Sequence, residues 1–114
     1  MSVIVCLATC PDNATAIRLG EVLVEQRLAA CVNIVPGVRS VYRWEGRVTV
    51  DDEVVLIIKT TAARLDALTE QVRQLHPYAV PALVALPIAG GLPEYLQWIE
   101  AGTAPGTHDA FAEP

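Results

Sequence analysis

The sequence is poor in rings, in lysine and in positive charge. Aromatic residues make up 5% of 114 positions, Lys59 is the only lysine, and 8 Lys and Arg face 13 Asp and Glu, for a net charge of -5. So negative a surface repels phosphate backbones, which argues against nucleic acid as a partner. Long apolar runs are missing too. Val3 to Ala8, the longest, and Val54 to Ile58 are well short of the roughly 20 residues a spanning helix needs, so no membrane span is expected. The opening segment has no positive n-region and too short an apolar stretch for an export signal, and reads as a strand of a cytoplasmic protein. Three cysteines, Cys6, Cys10 and Cys31, form no C-x-x-C and cannot all pair. That pattern excludes zinc-ribbon and thioredoxin signatures and fits a reducing compartment. What the chain does have is aliphatic bulk: 53% of it is hydrophobic. A chain of this length and apolar content folds as one domain, and its surplus of apolar residues is expected to be buried between subunits.

Val3 to Thr9 is a β-branched apolar run closed by Pro11-Asp12-Asn13, where proline limits the strand and Asp12 or Asn13 caps a following helix. From Ala14 to Leu28, Ile17, Gly20, Val24 and Leu28 share one helical face, opposite Arg18, Glu21 and Glu25. Gly20 on the apolar side implies a close backbone approach to a sheet or a neighbouring subunit. Cys31 to Trp44 reads as an extended segment bent at Pro36-Gly37, with Val38, Ser40, Tyr42 and Trp44 on one side and Arg39, Val41 and Arg43 on the other. Glu45-Gly46 is a two-residue turn, so Arg47 to Thr60 returns as the antiparallel partner of one long hairpin. Its tip carries Arg43, Glu45 and Arg47, charges that keep a projecting arm soluble. Leu65, Leu68, Val72 and Leu75 predict a helix over Thr61 to Leu75, ended by His76-Pro77. Ala82 to Pro87 is a short strand, and Pro93 opens a third helix with Leu92, Tyr95, Leu96 and Ile99 on one side. The order β-α-β-β-α-β plus a C-terminal helix predicts an α+β, ferredoxin-like antiparallel sheet. One domain is expected over residues 1–104 and a flexible tail over 105–114.

Several segments are more specific than this fold. Thr9-Cys10-Pro11-Asp12, Arg27-Leu28-Ala29-Ala30-Cys31-Val32-Asn33, Ser40-Val41-Tyr42-Arg43-Trp44-Glu45-Gly46, Leu56-Ile57-Ile58-Lys59-Thr60-Thr61, His76-Pro77-Tyr78-Ala79-Val80-Pro81 and Tyr95-Leu96-Gln97-Trp98-Ile99 stand in the order and spacing of the CutA family, the divalent-cation tolerance proteins. The chain resembles that family from about Val3 to Ala101. The resemblance implies a ferredoxin-like subunit in a tight homotrimer, built like the trimers of the PII signalling proteins, with hairpin strands paired across subunits. It also implies tolerance to copper and other divalent cations, with metal binding. The alternative is a PII-like regulatory module that binds a small ligand or a partner protein in its intersubunit clefts.

His76 matches the histidine of the family's His-Pro-Tyr segment. Imidazole suits Cu(II) and Zn, and thiolate suits Cu(I) and Zn, so His76 with Cys31 is the candidate metal pair and copper the candidate ion. The structural alternatives are a His76 that caps its helix and a Cys31 that packs at a helix-to-strand junction. The sequence departs from the family at Ala82, where a glutamate commonly follows the second proline, and at Ala8, where some members carry cysteine. Glu53 or Glu94 of another subunit are acids available in compensation. Tyr42, Trp44, Tyr78 and Trp98 all fall in the matching segments and are read as cleft walls or interface anchors. Lys59 offers its charge to an anionic ligand in a cleft, or else pairs with Glu53 or a helix carboxylate. No nucleophile, base and orienting acid assemble around Cys31 and His76, and no Gly-rich phosphate loop is present, so no enzyme is expected.

Overall fold

A computed structural model describes residues 2–105. It contains β1 (Val3–Cys10), α1 (Asn13–Glu25), β2 (Cys31–Trp44), β3 (Arg47–Thr61), α2 (Leu65–Leu75), β4 (Leu83–Pro87) and α3 (Pro93–Gly102). The strands form one antiparallel sheet in the order β2-β3-β1-β4. The tail expected over 105–114 lies outside the described residues from position 106 onward. Among the described residues, no helix is long and apolar enough to cross a membrane.

Period-2 alternation divides the sheet into two faces. Ile4, Cys6, Ala8 and Cys10 of β1 and Val54, Leu56 and Ile58 of β3 are buried beneath α1 and α2, which contribute Ala16, Leu19, Leu23, Leu68 and Val72. Gly20 makes the predicted close approach: a Cβ there would stand 3.3 Å from Val32 Cγ1 of β2. The opposite face is also apolar but lies open. Leu7, Val84, Leu86 and Val35 on it are all exposed, and α3 covers only one end, near Lys59 and Ala30.

Two boundaries differ from the periodicity reading. The first helix stops at Glu25 because Arg27 takes a left-handed conformation (φ 59°), and Leu28 N–H donates back to Leu23 O at 2.9 Å while Arg27 N–H donates to Val24 O at 3.0 Å. This Schellman closure turns the chain so that Leu28 is buried beside Leu23. The second helix starts at Leu65 rather than Thr61 because β3 runs on to Thr61, which pairs with Val3 and is buried; a 3-10 turn over Ala62–Arg64 makes the junction. At the other end of α1, Asp12 is the cap, accepting from Thr15 N–H at 2.7 Å. The β2–β3 hairpin extends well past β1, whose last pairing is Cys10 with Val54. Beyond that rank the arm is a two-stranded ribbon, closed by Glu45 and Gly46.

Candidate functional site

The residues singled out in the sequence gather at two ends of the sheet. At the β1 C-terminal end, the base of the hairpin and the segment after α2 enclose an open cleft of about 720 Å³. Ser40, Tyr42 and Trp44 share one face of β2, as the alternation predicts, and line the cleft with Asp51 and Glu53 of β3 and Tyr78. Hairpin register explains the acids: Asp51 stands opposite Ser40 and Glu53 opposite Val38, so both point the same way as Tyr42. Tyr42 Oη donates to Asp51 Oδ2, and Tyr78 Oη donates to Glu53 Oε2 at 3.3 Å. Asp52 points to the other face and pairs there with Arg39 at 3.2 Å. Among the described residues, no Lys or Arg lines the cleft.

These hydrogen bonds set the ionisation of the site. The bond to Asp51 pushes the Tyr42 phenol up to about 12, and burial followed by the Glu53 charge pushes Tyr78 up as well. Both rings stay protonated donors at neutral pH. Behind them, burial together with the charges of Asp12 and Glu53 pushes the Cys10 thiol up to about 11, which leaves it an inert packing group.

His76 sits at the back of this cleft, 6% exposed. Tyr78 N–H donates to Nδ1 at 3.1 Å, so Nε2 carries the ring proton and donates to Thr9 O at 2.6 Å. The imidazole thus clamps the segment after α2 onto the end of β1 and packs its ring 4.8 Å from that of Tyr78. His76 is also the C-cap residue of α2, its backbone N–H donating to Val72 O at 2.9 Å, and both of its ring nitrogens are engaged. Cys31 lies elsewhere: it pairs with Lys59, which pairs with Val5, and Val5 is four residues along β1 from Thr9. Strand spacing puts Cys31 on the order of 15 Å from His76. Among the described residues, no three His, Cys, Asp or Glu side chains come close enough together to hold a metal.

The second group surrounds Lys59. Its ammonium donates to Asn33 Oδ1 at 2.6 Å and lies 5.7 Å from the Tyr95 ring centroid. Trp98 stacks on Tyr95 at 5.7 Å, and the Cys31 thiol is 3.8 Å from Asn33 Oδ1. The ion pair considered for Lys59 and Glu53 is not made, because six positions of β3 part them, roughly 20 Å along the strand. Asp51 lies in none of the matching segments, and Asn33 and Tyr95 lie in two of them without having been read as site residues. Counting pairs outward from the Glu45-Gly46 turn would have placed Asp51 opposite Ser40.

A family model described as CutA1 divalent ion tolerance protein matches residues 4–102. The chain belongs to the CutA family. It is 52% identical over 99 residues to the divalent-cation tolerance protein CutA of Thermus thermophilus, covering 87% of this chain and 96% of that protein. It is 51% identical over 100 residues to chloroplastic Protein CutA 1 of Oryza sativa, covering 88% of this chain but 56% of the longer plant protein. The solved structure from Oryza sativa superposes with a TM-score of 0.89 at 48% identity, over 92% of this chain and 96% of that one. The structure from Thermus thermophilus gives 0.88 at 51% identity, over 90% and 99%. The CutA family is named for cation tolerance and not for a reaction. Ala82, where the family pattern commonly has glutamate, also lines the cleft.

Proposed function

We propose that the protein is a non-enzymatic divalent-cation binder that acts as a homotrimer in the cytoplasm. The observation that carries this reading is the pair of carboxylates Asp51 and Glu53, oriented by the hydroxyls of Tyr42 and Tyr78 in a cleft that, among the described residues, no Lys or Arg lines. Two carboxylates do not complete a coordination sphere, so a second copy or water supplies the other donors. Copper is the ion carried over from the family resemblance. The oxygen donors of the cleft suit harder ions as well. His76 acts as a positioning residue, since it fixes the Tyr78 backbone; Cys31 enters only as a donor brought from another copy. The open apolar sheet face and the two-stranded arm support a trimer, because both leave valine and leucine side chains in water. The unpaired thiols of Cys6, Cys10 and Cys31 support a reducing compartment.

Native mass spectrometry of the reduced protein during copper and manganese titrations tests both parts. A trimer taking up a defined number of ions per subunit is expected. In Asp51→Asn/Glu53→Gln that uptake falls by about tenfold or more with the trimer intact. In His76→Ala uptake falls through the freed Tyr78. A trimer that stays metal-free until adducts accumulate overturns the cation reading. The PII-like alternative then gains from Lys59, which has no carboxylate within ion-pair distance among the described residues and is flanked by Tyr95 and Trp98. A small anion that raises the melting temperature of the wild type but not of Lys59→Met would support it.

A further inference from the structure

We propose that each hairpin arm lays its back face into the cleft of a neighbouring copy, with Arg43 reaching the neighbour's Asp51 at the cleft rim. This docking rests on the homotrimer of the reading above and not on its metal site. Past the pairing of Cys10 with Val54, the arm is a two-stranded ribbon whose two sides differ in kind. Residues directly opposite one another in an antiparallel pair share a face. The front therefore carries Tyr42, Trp44, Asp51 and Glu53, which line the cleft with Tyr78. The back is aliphatic and basic, with Val41 opposite Val50 and Arg43 opposite Val48. In the single subunit Val41, Val48 and Val50 are 66%, 66% and 55% exposed. A row of valines left so bare needs a cover.

The two sides complement each other. The front sets rings beside two acids, and the back sets aliphatic side chains beside an unpaired cation. Within its own subunit Arg43 has only the Gly46 carbonyl, at 3.5 Å, and no carboxylate pairs with it among the described residues. Arg39, the other guanidinium of the back, is held by Asp52 at 3.2 Å. An arm cannot fold its back onto its own front, so only a second copy joins the two. A front that meets a back is a heterologous contact, which closes into a ring when the rotation between copies allows it. Three copies in such a ring fill every cleft and cover every row of valines. A two-fold pairing of like faces would instead set acid against acid. A divalent ion entering the cleft then competes with Arg43 for Asp51.

A double-mutant cycle on the full chain tests this docking, read by sedimentation velocity over a dilution series in moderate urea. Arg43 and Asp51 point to opposite sides of their own ribbon, so coupling between them arises between copies. Both are exposed in the subunit, so neither substitution burdens the fold. Arg43→Glu and Asp51→Arg are each expected to raise the concentration at which the trimer half-dissociates by about tenfold or more. Combined in one chain they restore opposite charges across the contact. The double variant is expected to assemble at least about fivefold more tightly than the two single losses together would give. Additive losses in the double variant, or a trimer indifferent to Arg43→Glu, overturn the docking and leave the trimer reading standing. A wild type that sediments as a monomer at every concentration without urea overturns both.

Discussion

At the scale of single residues, His76 illustrates how a side chain can be conspicuous in a sequence while its job is invisible. The His-Pro-Tyr segment marks it, yet its partner is the backbone carbonyl of Thr9, 67 positions away. Replacement by alanine strips a bond from both Thr9 O and Tyr78 N–H in a buried place. Urea unfolding at pH 7 should show His76→Ala less stable by about 2 kcal/mol. Asp12 was easier to read, because a helix cap depends only on neighbours in sequence. The Thr15 N–H bond holds its carboxyl below the ordinary carboxylate range. A folded pKa below the unfolded one means the stabilisation is complete above the unfolded value, about 3.9. It is then lost as pH falls through the folded value. The stability gap between wild type and Asp12→Ala should therefore be present at pH 7 and close in strongly acidic solution, as denaturant melts at the two pH values would show.

At the scale of elements, the hairpin carries the most consequence. Glu45 and Gly46 both have positive φ, 51° and 78°, the type I′ geometry whose twist matches that of the flanking strands. Trp44 pairs with Arg47 across it, and that register alone puts Tyr42, Asp51 and Glu53 on one face. Gly46→Ala forces a side chain into the left-handed region and should cost about 1 kcal/mol in thermal or urea unfolding. Its effect on cation uptake reads how firmly the cleft depends on the arm. The turn, the bulge near Pro36-Gly37 and the alternation of Val38, Ser40, Tyr42 and Trp44 were all legible, since each rests on local backbone chemistry. The helix ends were less so. Arg27 closes α1 in a conformation usually left to glycine, and Thr61 is claimed by the strand pairing with Val3; in both cases distant packing outweighs local preference.

At the scale of the molecule, the fold measures 48 × 27 × 23 Å, elongated by the arm. Its helices cover one sheet face, and the other presents Leu7, Val35, Val84 and Leu86 to solvent, with Leu86 46% exposed. In the proposed trimer this face meets neighbouring copies. A charge there should be costly only in the assembly: Leu86→Glu is expected to sediment as a monomer while keeping wild-type circular dichroism. A trimer of unchanged stability would place the subunit contact elsewhere.

The order of elements, the capping of α1, the long hairpin and the CutA resemblance all follow from the sequence alone, because they depend on periodicity, turn chemistry and residues in fixed succession. Where the chemistry gathers was decided only by tertiary structure. Sheet order β2-β3-β1-β4 sends Cys31 and Lys59 to one end and His76, Tyr42 and Tyr78 to the other, so the pair joined by ligand type, His76 and Cys31, is parted. In their place it brings together Asp51, Glu53 and two phenols. Ligand preference is a property of a side chain, whereas proximity is set by strand register, and register is decided by the burial of a whole sheet face.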